Sequence, residues 1–392
     1  MTTMGALAAD GVLSYSDGYR TKRGEHGQPG YRILRVADVA DGVVSPAGSD
    51  YVSRDRVGQI REKLARANDV ILTTKGTVGR VAIVPNLEEE LVYSPQLCYF
   101  RVIDDDRIDR RWLSYWFRSE DFLRQASHRA NNTDMAAYIN LTDIGSLDLP
   151  DVPVEEQRAI AEVLGALDDK IAANRQCESG IDELVRALYV GAVEKSAVPR
   201  PFFDVLEVDF GESFKGEHFS EPGHGRPLLR IRDLRTFECQ TWTTESRPRE
   251  TLVLPGDVLV GMDGEFRAKY WLGEPSLLNQ RVCRVRGRGV GNALVYELLR
   301  APLTRIERSK TGTTVIHLNK SDLAQATVML PEGEALATFE SRAEPLARLR
   351  VAKAQERKTL SRARDALLPL LMSGKVTIQD AGSRSRRSCD GA

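Results

Sequence analysis

The sequence predicts an α+β chain: two mixed α/β domains separated by two long helices that pack as an antiparallel coiled coil. Three observations carry this. Landmarks in the first half recur in the same order in the second. Short apolar alternations broken by Gly, Asp and Pro fill residues 1–150 and 199–330. Two segments of about 40 residues, one after each block, carry a sustained helical stripe.

The bulk figures set the frame. The chain has 392 residues, enough for two or three domains. Hydrophobic residues make up 42% and charged residues 28%, an ordinary globular balance. Lys and Arg number 55 against 56 Asp and Glu, a net charge of −1. That excludes a histone-like polycation but not DNA binding, which depends on local basic patches. The five cysteines show no C-x-x-C spacing, so neither a zinc ribbon nor a disulfide framework is indicated. Scattered thiols fit a reducing cytoplasm. No stretch reaches the length of a membrane span, and the start, MTTMGALAADG, lacks the pattern of a secretory signal.

The repeat is long. GYRILRVADV (Gly30 to Val39) returns as GRPLLRIRDL (Gly225 to Leu234), so Arg35 and Asp38 fall on Arg230 and Asp233. Just upstream, Gly18-x3-Lys22 is echoed by Gly211-x3-Lys215. NDVILTTKG (Asn68 to Gly76) returns as GDVLVGMDG (Gly256 to Gly264), and INLTDI (Ile139 to Ile144) as LNKSDL (Leu318 to Leu323). Each block closes on Leu-Pro, at Leu149-Pro150 and Leu330-Pro331. Four landmarks in one order indicate duplication.

Within the blocks, YRILRV, DVILTT, RVAIVP, LCYFRV, PLLRIRD, DVLVGM and RVCRVR read as short strands. Trp112 to Gln125 and Ala293 to Arg308 have helical spacing. The expected boundaries are 1–150, a helix over 151–198, a second block over 199–330, a helix over 331–378 and a disordered tail over 379–392.

The first long segment, Val154 to Lys195, has no proline, and Glu155 and Glu156 sit where the helix dipole favours acids. Its seam holds Ile160, Leu164, Leu167, Ile171, Asn174, Glu178, Ile181, Val185, Leu188 and Ala192. The second, Glu332 to Ser373, has Phe339, Ala343, Leu346, Arg350, Lys353, Arg357, Leu360, Arg364, Leu367 and Leu371. Pro345 implies a kink or a later start. Helices of that length run to roughly 60 Å. Neither buries its stripe alone, and an antiparallel pairing sets Glu178 against Arg350, Lys353 and Arg357.

Catalytic equipment is missing from the sequence. There is no P-loop; the nearest string, KGTVGRV (Lys75 to Val81), lacks the Lys-Ser/Thr pair and joins two strands. No G-x-G-x-x-G opens a helix, no N-P-P-[YF] occurs, and the five histidines have no metal-ligand spacing. Asp263, Glu265 and Lys269 form a loose acidic–basic cluster with no acidic counterpart in the first half.

What remains suits nucleic-acid binding. The first block offers Lys22, Arg23 and Arg35, then Lys75 and Arg80 on a glycine turn, then Asn131, Asn132 and Thr133 in a polar loop before Tyr138. The second offers Lys215, Arg230 and Arg232, then Arg267 and Lys269, then a loop with Thr311, Thr313, Thr314 and His317. Arg and Lys serve phosphates and guanine edges, Asn reads adenine, and Thr contacts the thymine methyl. A solvated charged face is the bland alternative for any one of these residues.

The string LDLPDVPVEEQRAIAEVLGALDDKIAANRQ (Leu147 to Gln176) resembles the first conserved helical region of type I restriction–modification specificity subunits, with Pro153, Gln157 and Ile160 as its core. ALLPLLMSGKV (Ala366 to Val376) is similar to the close of the family's second conserved helix, and TTKGTVGRVAIV and TTVIHLNKSDL to landmarks of its target recognition domains. The second helix departs from the pattern: its entry lacks the usual Gln and carries Pro345, and GMDGEFRAKYWLG replaces a basic glycine turn.

The resemblance implies a non-catalytic reader of double-stranded DNA. Its two target recognition domains each read one half of a bipartite, asymmetric site, and its helices act as a ruler and a platform. It implies two methyltransferase subunits as partners, with restriction subunits joining them. No cofactor is expected in this chain; S-adenosylmethionine, and ATP with Mg2+, belong to the partners. A cytoplasmic location and no membrane contact follow. The competing reading is a coiled-coil scaffold or adaptor whose globular heads bind protein.

Overall fold

The computed structural model describes residues 2–129, 138–310 and 316–377. The polar-loop residues Asn131, Asn132, Thr133, Thr311, Thr313 and Thr314, and the tail over 379–392, lie outside the described residues. The chain divides into two compact units: Met1–Asp169 with Leu360–Ala392, and Lys170–Thr359.

Unit 1 is built on a four-stranded antiparallel sheet in the order Leu13–Asp17, Leu97–Val102, Val70–Thr73, Val81–Ile83. Beside it, Gly30–Leu34 pairs antiparallel with Tyr51–Ser53 and parallel with Leu91–Tyr93. The unbroken apolar run Val70–Thr73 is fully buried because both its faces are covered. Val70 and Leu72 join the core of Trp112, Trp116 and Phe122, while Ile71 joins Leu34, Tyr93 and Tyr99 on the other side.

Unit 2 repeats this plan. Its four-stranded sheet runs Leu206–Phe210, Val282–Gly287, Val258–Gly261, Ala268–Tyr270. A five-stranded sheet contains one parallel pair, Arg226–Leu229 with Ser276–Leu278. Val258 and Val260 face the helix-side core and Leu259 faces Leu229 and Trp271. The repeat seen in the sequence is thus a repeat of strand order and of which face each side chain covers.

The expected helix over Trp112 to Gln125 is two helices, Arg110–Trp116 and Glu120–Arg129. Ser119 breaks it: its hydroxyl accepts the Phe122 N–H at 3.2 Å and starts the second helix. Unit 2 has one helix here, Asn292–Ser309. Its N-terminus is capped from outside: Glu340 accepts from the Gly291 N–H at 2.9 Å and Glu344 from the Ala293 N–H at 3.0 Å.

The long helices span Val154–Lys195 and Gly333–Met372, and each contributes to both units. In unit 1, Ile160, Ala161 and Leu164 share a core with Leu371, and Arg364 donates to Asp168 at 2.7 Å. In unit 2, Ile181, Val185, Tyr189 and Ala192 share a core with Phe339, Ala343, Ala347, Val351 and Ala354. Arg357 donates to Glu178 at 2.6 and 3.2 Å, and Arg350 to Asp182 at 2.5 and 3.1 Å. Partner numbers fall as residue numbers rise, so the helices are antiparallel.

The expected seam needs three corrections. Glu178 does not gather three cations: it bonds Arg357, while Arg350 takes Asp182 and Lys353 takes Glu356 on its own helix at 2.8 Å. Arg350 lies two turns, about 10 Å, from Arg357, which is too far to share one carboxylate. The fully buried row of the second helix is Phe339, Ala343, Ala347, Val351 and Ala354 in unit 2, with Leu371 in unit 1; Leu346, Arg350, Lys353, Leu360 and Leu367 are half-buried beside it, as are Leu167 and Leu188 on the first helix. Small side chains occupy the centre, and the long cationic stems lie along the flank with their heads on acids. Finally, the second helix starts at Gly333, ahead of Pro345, and continues through it. Pro345 is exposed, as is Ser341, whose carbonyl loses a donor to the missing N–H and can turn to water.

Candidate nucleic-acid interface

In unit 1 the candidate residues cluster where the central strand Val70–Thr73 ends. The chain reverses through Gly76 (φ 82°) and Gly79 (φ 101°), a conformation that favours glycine. The Gly79 N–H donates to the Thr73 carbonyl at 3.0 Å, and the Thr73 hydroxyl accepts from the Arg80 N–H at 2.9 Å. Lys75 forms a β-bridge with Tyr138, and the Ile139 N–H donates to the Thr74 carbonyl at 3.0 Å. The exit of the polar loop is therefore tied to the glycine turn. Gln96 is a third member: its carbonyl accepts from the Thr74 N–H at 2.8 Å and the Thr74 hydroxyl at 3.0 Å.

Arg35, Lys75, Arg80 and Gln96 line one open depression. Arg35 pairs with Asp50 at 2.5 Å, and Arg80 donates to the Val39 carbonyl at 3.2 Å. Lys75 and Gln96 are exposed, and neither side chain has a hydrogen-bond partner among the described residues. Lys22 and Arg23 are exposed on the separate turn that ends at Glu25.

Unit 2 has the same frame with different side chains. Gly264 (φ 76°) makes the turn, and its N–H donates to the Ile316 carbonyl at 3.1 Å. The Leu318 N–H donates to the Met262 carbonyl at 2.8 Å, and the Met262 N–H to the Arg281 carbonyl at 3.0 Å. Asp263 forms the β-bridge with His317. Asp263 thus stands where unit 1 has Lys75, His317 where it has Tyr138, and Arg281 where it has Gln96. The Asp263 carboxylate meets His317 Nδ1 at 2.6 Å and lies 3.6 Å from the Arg281 guanidinium.

The other predicted cations of unit 2 serve local structure. Arg267 pairs with Glu307. Lys269 donates to the Leu234 carbonyl at 3.0 Å. Arg232 donates to the Thr241 hydroxyl at 3.0 Å, and Arg230 stacks 5.8 Å from the Phe219 ring centre. Lys215 is exposed, 3.5 Å from Glu217. The cluster of Asp263, Glu265 and Lys269 does not converge, and among the described residues no group of His, Cys, Asp or Glu is arranged to hold a metal ion.

Several sequence landmarks turn out to be structural. A Cβ on Gly18 would lie 2.2 Å from the carbonyl oxygens of Tyr93 and Ser94, and one on Gly211 2.1 Å from that of Asn279. The repeated Arg-x-x-Asp is a turn in which Asp38 accepts the Arg35 N–H at 2.8 Å and Asp233 accepts the Arg230 N–H at 2.9 Å. Burial pushes the Asp233 carboxyl up in spite of these backbone bonds. The INLTDI and LNKSDL echo is a helix cap: the Asn140 and Asn319 N–H groups donate to Asp143 and Asp322. The Cys98 and Cys283 thiols are buried, which raises both and leaves them inert; Cys283 reaches about 12. Sequence reasoning missed Gln96. Aligning SPQLC with NQRVC on those two cysteines places Gln96 against Arg281 and would have found it.

Comparison with known proteins agrees with this architecture. Residues 12–183 match the type I restriction modification DNA specificity domain. The type I restriction enzyme EcoBI specificity subunit of Escherichia coli is 33% identical over 182 residues, covering 45% of this chain and 38% of that protein. The putative type I restriction enzyme MjaX specificity subunit of Methanocaldococcus jannaschii is 22% identical over 386 residues, covering 89% of this chain and 88% of that protein. In three dimensions, the S subunit of a type I restriction-modification system from M. genitalium aligns over 92% of this chain and 94% of its own. The TM-score is 0.60 at 15% identity, a likeness of fold. With residues 12–183 matching the specificity domain and a relative aligned along most of its length, the chain is similar to the specificity subunits of type I restriction–modification systems.

Proposed function

We propose that the chain reads a bipartite, asymmetric sequence in double-stranded DNA on behalf of a type I restriction–modification complex, with no catalysis of its own. The observation that carries this is the duplicated frame of glycine turn, loop exit and third residue, filled with Lys75, Tyr138 and Gln96 in one unit and Asp263, His317 and Arg281 in the other. One frame with two side-chain sets suits two half-sites of different sequence. In unit 1, Lys75, Arg80 and Arg35 supply the cations that hold phosphates and fix register. The near-zero net charge suits an assembly in which partner subunits supply much of the remaining phosphate neutralisation.

The long helices set the unread gap and receive two methyltransferase subunits, with restriction subunits joining that assembly. S-adenosylmethionine serves the methyltransferases, which flip the target adenine into their own pockets, and ATP with Mg2+ serves the restriction subunits. The match to the specificity domain supports a non-catalytic role. No described helix is long and apolar enough to cross a membrane, and the complex works in the cytoplasm, where its DNA is.

A methylation map tests the reading. The chain is co-expressed with its methyltransferase in a host free of adenine methylation, and modified adenines are located by sequencing. A split, asymmetric motif that requires this chain is expected. A stable complex that yields no chain-dependent motif overturns the reading and favours the adaptor.

A further inference from the structure

The two units place different side chains on the same backbone position beside the glycine turn, and the chemistry of these two residues is informative. Gln96 and Arg281 each sit just before an inner strand of the four-stranded sheet, Leu97–Val102 and Val282–Gly287. Each has its own carbonyl clamped by the residue after the central strand, Thr74 in one unit and Met262 in the other, at 2.8 and 3.0 Å. The backbones are fixed, and both side chains are exposed. The surroundings differ in a way that fits the difference between the two. Gln96 stands among Arg35, Lys75 and Arg80. Arg281 instead stands beside an acid, Asp263, 3.6 Å from its guanidinium and 2.6 Å from His317 Nδ1.

A carboxylate on a surface that meets phosphates is repelled by them unless it has another task. Here Asp263 has two neighbours that give it one: it hydrogen-bonds the His317 imidazole and lies within ion-pair range of the Arg281 guanidinium. An arginine steadied this way keeps further N–H donors free for a planar two-acceptor target. In the major groove that target is the N7 and O6 pair of guanine. A glutamine amide offers one donor and one acceptor, which match adenine N6 and N7.

We infer that Gln96 and Arg281 are base-reading residues, Gln96 selecting an adenine in the half-site of unit 1 and Arg281 a guanine in the half-site of unit 2, with Asp263 positioning Arg281. This rests on the DNA-reading function proposed above and adds which side chains read, and which bases they select.

The test uses the whole complex with its methyltransferase and compares wild type with Gln96→Ala, Gln96→Arg, Arg281→Ala and Arg281→Gln. The wild-type motif comes first: its absence would sink the proposed function and leave the assignment of these residues without a premise. Given a motif, Arg281→Ala is expected to lower affinity for cognate DNA roughly 10- to 100-fold while leaving non-specific affinity and its salt slope unchanged. Only the half-site of unit 2 should lose a preference, and that preference should be for guanine. Gln96→Ala should do the same to an adenine in the other half-site. Gln96→Arg and Arg281→Gln should move those preferences towards guanine and adenine. Asp263→Asn should weaken the guanine preference without abolishing assembly. Unchanged preference in both half-sites on alanine substitution overturns the inference. So does a uniform loss on all DNA, with the salt slope reduced by about one for Arg281→Ala, which would make these residues phosphate contacts.

Discussion

The ion pair between Arg357 and Glu178 sits in the helix pair of unit 2, and its two ends are unequally exposed. The Glu178 side chain is 12% exposed and that of Arg357 28%, with two bonds of 2.6 and 3.2 Å between them. Arg357→Leu leaves a nearly buried carboxylate without its partner, at a cost of about 3 kcal/mol. Glu178→Leu leaves a guanidinium on a long stem that can turn to water, so it should cost only about 1 kcal/mol. Replacing both with leucine removes the uncompensated charge and should fall within about 1 kcal/mol of wild type. The implied coupling is about 4 kcal/mol, far above the error of a double-mutant cycle. A two-unit chain does not unfold in one step, so a global midpoint would blur this difference. Native-state hydrogen exchange over residues 174–185 and 350–360 reads it locally. Exchange limited by opening should be about 100-fold faster in Arg357→Leu and near wild type in the double variant. Additive single effects, or a larger effect from Glu178→Leu, would refute the claim that the buried carboxylate is what makes the pair matter.

Other outcomes follow from the same structure. Removing one heptad from each long helix shortens the pair by about 10 Å, the rise of roughly 3 base pairs, and methylation mapping should show a gap changed by that amount or no assembly; an unchanged gap defeats the ruler. Lys75→Ala should weaken binding to all DNA sequences alike and reduce the salt slope by about one, measured by titration at several salt concentrations. Gly18→Ala forces a Cβ to within 2.2 Å of backbone carbonyls and should destabilise unit 1 by about 2 kcal/mol, seen as faster exchange in its sheet while unit 2 keeps wild-type protection. Burial works to raise the Asp209 carboxyl, but hydrogen bonds from Arg286 and Arg284 outweigh it and hold the group below the usual range. Its stabilising contribution is therefore complete above the ordinary carboxylate range and is lost as pH falls through the lowered value. Asp209→Asn should flatten that acid limb of a stability-against-pH curve for unit 2, and an unaltered limb would show that the pair contributes nothing.

What the sequence made legible was whatever a period records. Val154–Lys195 could be bounded to the residue because its stripe is regular and its ends carry acids and a following break. The duplication was legible because the turn residues that hold each frame, Gly18 with Gly211, Asp38 with Asp233 and Asn140 with Asn319, are needed by the backbone and so keep their identity. The site was less legible for the same physical reason. Exposed positions in the free chain are released from packing, so no periodicity marks Gln96, and only the shared cysteines Cys98 and Cys283 set it against Arg281. A run of cations was a poor guide, because charge alone does not say where a side chain is anchored. Arg267 and Lys269 looked like phosphate contacts and are tied to Glu307 and the Leu234 carbonyl, while an acid, Asp263, sits at the centre of the second frame. The first helix's seam was legible at Ile160, Leu164, Ile171 and Ile181, but the middle of the second helix's seam was not. A helical stripe defines a face some 100° wide, and the choice between Leu346 and Ala347, or Arg350 and Val351, as the innermost residue depends on how closely the two helices approach. That is decided by the partner helix, whose identity a period within one segment does not contain. The residues that make each half of this protein distinct are thus those least constrained by its fold, and comparing the two halves on a common backbone frame is what brings them out.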